Sequence, residues 1–442
     1  MKFTRTGVLI IFTFLILNCS KNEDPNLEPT TEEKPEPDPK PEEPNEPEDE
    51  VYFSYYSDPN DTFSQWNDNW VVLHNQNGEI LDHRQFAIGD SLEFKESAEI
   101  LQNVQTLSVT IVNHRLGEGG GHHHAIATRA GIEKGTIWGW TVNEPKSASP
   151  PLSYFAAQIG ITVNNVPNVH WFDLSSITQN HTAGHPFYQE TDVLNIGGVK
   201  LYEDISYVLS LRDGNEDIKY QILELPNPPS NIILDYSDFL EYDYVLEVVL
   251  PQYESYTARV ITSNNSLNDI NHTAISNESS GRLPRSIAKL GYINTYDSFT
   301  TIFALRYDGQ TNYSRYKIGE APTNINVPED PQFLADGNTI YDYSFTTNLN
   351  YYRNSSYWIY EDEGQDNITK YNFGGKSDDG SLIGTLPTQV LENFPELNLD
   401  KLIRKESYLY IGENVEYISD NRQTINGLIS GRDFEIIRFK NQ

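Results

Sequence analysis

Leu107-Ser108-Val109-Thr110-Ile111-Val112 alternates apolar and polar residues. The same period of two returns in Tyr207-Val208-Leu209-Ser210-Leu211, Tyr244-Val245-Leu246-Glu247-Val248-Val249-Leu250 and Phe299-Thr300-Thr301-Ile302-Phe303-Ala304-Leu305. Successive strand side chains point to opposite faces, so this period predicts β-strands with one face turned to a core. Turn pairs such as Asn77-Gly78, Asp213-Gly214 and Asp308-Gly309 punctuate the chain. An abundance of aromatic residues, 28 tyrosines and 19 phenylalanines, adds to the β bias. Helical periodicity is scarce. The best stretch, residues 387–403, is interrupted by Pro395 and predicts at most two short helices.

Working outward, residues 70–84, 207–220, 303–316 and 357–371 share one layout: an apolar run, a polar turn with glycine, then a second run. Each reads as a β-hairpin, at spacings too unequal for a solenoid. Residues 51–442 exceed what one domain usually holds. Proline, asparagine and acids collect near 191–197 and 324–331. The expectation is an all-β body of tandem, immunoglobulin-like β-sandwich domains, with sandwiches over 51–195 and 196–325 and a β-rich C-terminal domain over 326–442.

The N-terminus has a different composition. Lys2 and Arg5 precede an apolar stretch from Gly7 to Leu17, too short to span a bilayer comfortably, and Leu15-Ile16-Leu17-Asn18-Cys19 follows. This resembles the lipobox of bacterial lipoproteins, with Asn18 where that pattern prefers a small residue. The resemblance implies cleavage after a signal peptide of residues 1–18 and acylation of Cys19, including palmitate-type chains. Cys19 is the only cysteine, so the body has no disulfide, no thiol nucleophile and no cysteine metal site. Residues 20–50 carry 13 acids, 3 lysines and 8 prolines with almost nothing apolar. Such a chain cannot bury enough surface to offset its ordering entropy, so 19–50 reads as a lipidated, disordered, semi-stiff stalk. Ser20-Lys21-Asn22-Glu23-Asp24 also resembles the short Lys-plus-acid signals that send Gram-negative lipoproteins to the outer surface. The expected location is the outer membrane, lipid-anchored and facing the cell exterior.

The whole chain carries a formal charge of −33. Without the two cations of the signal and the net −10 of the stalk, the body keeps −25. That surface repels phosphate backbones and anionic lipid, which sets nucleic acid aside and leaves the lipid on Cys19 as the membrane partner.

Seven of ten histidines fall between His114 and His185. His122, His123 and His124 follow Gly117-Glu118-Gly119-Gly120-Gly121, which reads as an exposed loop, and His181-Thr182-Ala183-Gly184-His185 has a His-x3-His spacing beside Pro186. Imidazole suits zinc, copper or nickel, so His122, His124, His181 and His185 are candidate metal ligands, against the reading of polar loop histidines. Trp138-Gly139-Trp140 would place two indoles on one strand face, and Trp171 lies in His170-Trp171-Phe172. Trp138, Trp140 and Trp171 are therefore candidate ligand-binding residues for a glycan, against the alternative that they fill a sandwich core. Acid-rich turns at 58–61, 213–217, 361–366 and 377–380 could hold structural calcium, though none has EF-hand spacing. No nucleophile elbow, phosphate loop, dinucleotide fingerprint or His-Glu-x-x-His pattern occurs, and no catalytic residue is assigned. The reading is a binding module for a glycan or a surface protein. The alternative is a structural or accessory lipoprotein of an outer-membrane assembly, with a metal-dependent or glycoside-active enzyme third.

Overall fold

Four hairpins arise where the sequence repeats its strand–turn–strand layout, and each turn begins with an Asn or Asp that folds back on its own backbone. In a computed structural model the pairs are Asp68–Asn75 with Ile80–Phe86, Tyr207–Asp213 with Ile218–Leu223, Phe299–Arg306 with Thr311–Gly319, and Arg353–Asp362 with Asn367–Lys376. Asn75 Oδ1 accepts from the amides of Asn77 and Glu79. Asp213 Oδ1 accepts from Asn215 and Asp217, Asp308 Oδ1 from Gln310 and Thr311, and Asp362 Oδ1 from Gly364. A short side-chain acceptor two to four residues upstream satisfies the amides that a tight turn exposes. The structure describes residues 49–57, 68–140, 159–176, 187–199, 201, 206–224, 231–263, 272–279, 285–296, 298–362, 364–376, 383–411 and 433–441. The expected signal peptide of 1–18 and the expected stalk of 19–50, apart from Asp49 and Glu50, lie outside them.

The body is all-β, with Pro47–Gln442 forming one compact unit. Its centre is a twelve-stranded sheet. In spatial order the strands are His272–Ser279, Ser255–Ser263, Phe299–Arg306, Thr311–Gly319, Asp433–Lys440, Ile403–Tyr410, Arg353–Asp362, Asn367–Lys376, His122–Ile132, Leu107–Leu116, Asp68–Asn75 and Ile80–Phe86. Every neighbouring pair is antiparallel except Asn367–Lys376 with His122–Ile132, which run parallel.

This sheet corrects the expected seams. It draws strands from 51–195, 196–325 and 326–442 alike, so hydrogen bonding is continuous across the three expected domains. The boundary at 195/196 falls inside the strand Val193–Val199, which pairs with Phe187–Glu190 and Ile159–Asn164. Thr191, at φ 50°, lies in the turn of that hairpin, so the polar composition there marks a tight turn and not a linker. Near 324–331, Ile325 is buried in the core that also holds Tyr292, Phe303, Tyr313 and Ile437. Local composition cannot report such non-local pairing.

Two layers position the candidate site. On one face of the sheet, Val71, Leu73, Val109 and Ile111 pack against Phe53, Tyr55 and Phe94 of a three-stranded sheet formed by Ser91–Glu96, Glu50–Ser57 and Thr136–Trp140. On the other face, Trp70, Val72, Val112 and Ile126 meet Leu386, Val390, Phe394, Leu397 and Leu402. These line the segment 386–402, which holds a short helix, Thr388–Asn393, and a 3-10 turn, Leu399–Lys401, on either side of Pro395, within the expected limit of two short helices. The polar positions Ser108, Thr110 and His114 of Leu107–Leu116 are buried too. Thr110 and Thr128 hydrogen-bond at 2.8 Å, and Thr128 and the Tyr371 hydroxyl at 2.7 Å, so this face carries satisfied polar pairs in place of solvent.

A separate pair of sheets packs Ile161, Val163 and Leu194 against Leu174, Leu209 and Leu211. It joins the large sheet through Glu278, which is buried with Arg212, Arg285 and the Tyr256 hydroxyl. Among the described residues no helix is long and apolar enough to cross a membrane.

Candidate metal centre

The glycine-rich run is exposed at Glu118, Gly119 and Gly120, as its composition predicts, and it forms a tight hairpin turn. Gly117 N–H donates to Gly121 O at 2.8 Å, and Gly120 N–H to Gly117 O at 3.0 Å. The turn lies against Asp366, and a Cβ on Gly121 would come within 2.1 Å of the Asp366 carbonyl oxygen, so only glycine lets the chain pass. His122, whose amide donates to Asn367 Oδ1 at 2.7 Å, therefore opens the strand His122–Ile132.

The register of that hairpin sets the site. His124 lies opposite His114, and His114 lies opposite Asp68 on the next strand. Alternation then puts Asp68, His114, His122 and His124 on the face that carries Trp70, Val112 and Ile126. His123 turns to the other side, where its Nε2 is 3.9 Å from Asp366. Glu396 arrives from above. The helix Thr388–Asn393 stops at Phe394 before Pro395, and a turn closes with Leu397 N–H on Phe394 O at 3.0 Å. Phe394 packs against the rings of His114 and His124, at 4.9 and 5.3 Å, while those two rings stack on each other at 4.9 Å, and Glu396 reaches the histidines.

The ligand atoms of His114, His122 and Glu396 all lie within 4.8 Å of one another. His114 Nε2 is 3.0 Å from His122 Nδ1, and His122 Nδ1 is 2.7 Å from Glu396 Oε1. Asp68 Oδ2 approaches His114 Nδ1 at 3.4 Å. With the His114 proton on Nδ1, facing Asp68, its Nε2 presents a lone pair to the cluster. This is the carboxylate–histidine arrangement that orients metal-binding imidazoles. The centre is thus rich in acceptors and poor in protons: His122 Nδ1 has at most one hydrogen to share between the His114 lone pair and the Glu396 carboxylate. A cation resolves that shortage. Two imidazoles and a carboxylate suit zinc, copper, nickel or iron(II). Metal–ligand distances of about 2.0–2.1 Å imply donor–donor edges of roughly 3.3 Å in a tetrahedron, close to the spacings here. Burial, with His114, His122 and His123 adding to it, pushes His124 down to about 3.

Of the four histidines expected as ligands, the structure brings His122 and His124 together, and His181 and His185 lie outside the described residues. His114 and Glu396 were not expected. Reading the glycine run as a hairpin turn would have placed His114 opposite His124. Nothing in the sequence singles out Glu396, 272 residues beyond His124.

Trp138 packs inward with its ring edge-on to Phe53 at 6.3 Å, against the core of the small sheet. Trp140 ends the same strand, and its side chain lies outside what is described. Trp171 is half-buried and donates from Nε1 to the Asn277 carbonyl at 2.6 Å, tying two sheets together. Of the candidate calcium turns, 58–61 and 377–380 lie outside the described residues. In 213–217 both carboxylate oxygens of Asp213 are engaged, by backbone amides and by the Tyr236 hydroxyl at 2.8 Å.

No family model, curated protein or solved structure matches the chain.

Proposed function

We propose that this chain is an outer-membrane lipoprotein, anchored through Cys19 and facing the cell exterior, whose body is a module that binds a divalent transition-metal ion at His114, His122 and Glu396. The observation that carries the metal reading is the convergence of those three donors within 4.8 Å on one sheet face, from segments far apart in sequence. The anchor reading is supported by the apolar stretch before a lone cysteine and by the acidic, proline-rich stretch behind it. A glycan ledge has less support, because Trp138 packs into the core and Trp171 is engaged with Asn277.

Calorimetric titration of Zn2+ into the full chain, purified without a polyhistidine tag, tests the metal reading. One equivalent should bind, and a His114→Ala/His122→Ala variant that keeps its β-sheet circular dichroism should lose it. Equal binding by the variant would refute the site. For the anchor, Cys19→Ser should release the protein from the membrane fraction; an unchanged membrane fraction would refute it.

A further inference from the structure

We infer that His124 is a fourth ligand, closing the centre as a His3Glu site that holds its metal among protein donors alone. This rests on the metal reading above and adds a coordination number and a role to it. His124 shares the face of His114 and His122 and lies opposite His114 in the register. Its side chain is 1% exposed, and Nε2 has no hydrogen-bond partner. An unpaired polar nitrogen at that depth keeps its desolvation penalty uncompensated, so a structure that retains it calls for a partner. The atom lies 3.6 Å from Glu396 Oε1. The His122–Glu396, His114–His122 and His124–Glu396 spacings of 2.7, 3.0 and 3.6 Å bracket the roughly 3.3 Å edge of a tetrahedral zinc site, and His124, outside the tight group of the other three donors, would swing in from the Glu396 side.

Phe394 seals the inner side, with its ring 5.3 Å from that of His124. Four protein donors leave no open position for water or substrate, which is the arrangement of structural zinc sites. The metal then acts as a clasp. It ties Glu396, and with it the segment 383–402, to the hairpin that carries the three histidines.

Co2+ substitution separates the two levels of inference, because cobalt absorption reports coordination number. The full chain should give the intense visible bands of a four-coordinate ion. His124→Ala should weaken Zn2+ binding by roughly 100-fold or more, beyond the 10–100-fold typical of outer-shell partners. It should also shift cobalt to the weak bands of a higher-coordinate, hydrated ion, and added imidazole should restore the intense spectrum. His124→Gln provides the same readout if the alanine variant fails to fold. If both variants bind zinc as tightly as the wild type with an unchanged cobalt spectrum, while His114→Ala does not bind, His124 is no ligand and the three-donor site stands. A wild-type protein that binds neither ion overturns both.

Discussion

At the scale of single residues, the histidines divide by what surrounds them. His74 is fully buried, with Nε2 2.9 Å from the Thr385 carbonyl oxygen, and burial holds its pKa below the ordinary 6.5. The folded protein keeps this ring neutral, whereas the unfolded chain protonates it below about pH 6.5. Its contribution to stability is therefore present above pH 6.5 and is lost as pH falls below it. His124 acts in the same direction. Asp173, pushed up to about 6 mainly by burial, acts in the opposite one, since its folded form takes up a proton before the unfolded chain does. Comparing wild type with His74→Gln isolates the histidine: the urea midpoint of the wild type should drop more between pH 7.5 and 5.5 than that of the variant. Parallel slopes would show that His74 does not titrate on unfolding. The burial behind this effect is not written in the residue type, and His74 simply follows the apolar run Trp70-Val71-Val72-Leu73.

Elements were the legible scale. Strand period and turn chemistry are local, so the four hairpins and the pair of short helices around Pro395 follow from residues a few positions apart. The Asn and Asp at the head of each hairpin turn explain why the repeat is visible at all: it is a repeated turn device more than a repeated domain. Five residues rich in glycine fit both a mobile loop and a tight turn, and the facing Asp366 decides between them. That contact gives a prediction. Gly121→Ala forces a Cβ to within 2.1 Å of the Asp366 carbonyl oxygen. Relieving the clash should cost about 1–3 kcal/mol in chemical denaturation and weaken zinc binding by moving His122. Wild-type stability and affinity in Gly121→Ala would mean that the turn does not set the histidine register.

At the scale of the molecule, one parallel pairing, Asn367–Lys376 with His122–Ile132, joins the strands of the first 140 residues to the rest of the twelve-stranded sheet. No local pattern announces a pairing between segments some 245 positions apart, which is why the expected seams failed. The core around Trp70, Val112 and Ile126 is likewise completed only by Leu386, Val390 and Phe394. A fragment of residues 51–195 should accordingly stay unfolded on its own, without the dispersed amide proton spectrum of a packed sheet, whereas an autonomous first domain would fold. The same long-range closure brings Glu396 to the histidines, so a metal at that centre links the two ends of the described body. Zinc at about 100 times its Kd should then stabilise the chain by about 2.7 kcal/mol, reversed by a chelator.

The most direct test of the metal centre is an anomalous difference map at the zinc edge from a zinc-soaked crystal of the protein. One dominant peak should appear, bounded by His114 Nε2, His122 Nδ1 and Glu396 Oε1, with His124 Nε2 turned toward it. An empty position there, in a crystal whose surface carboxylates have taken up zinc, would contradict the metal reading.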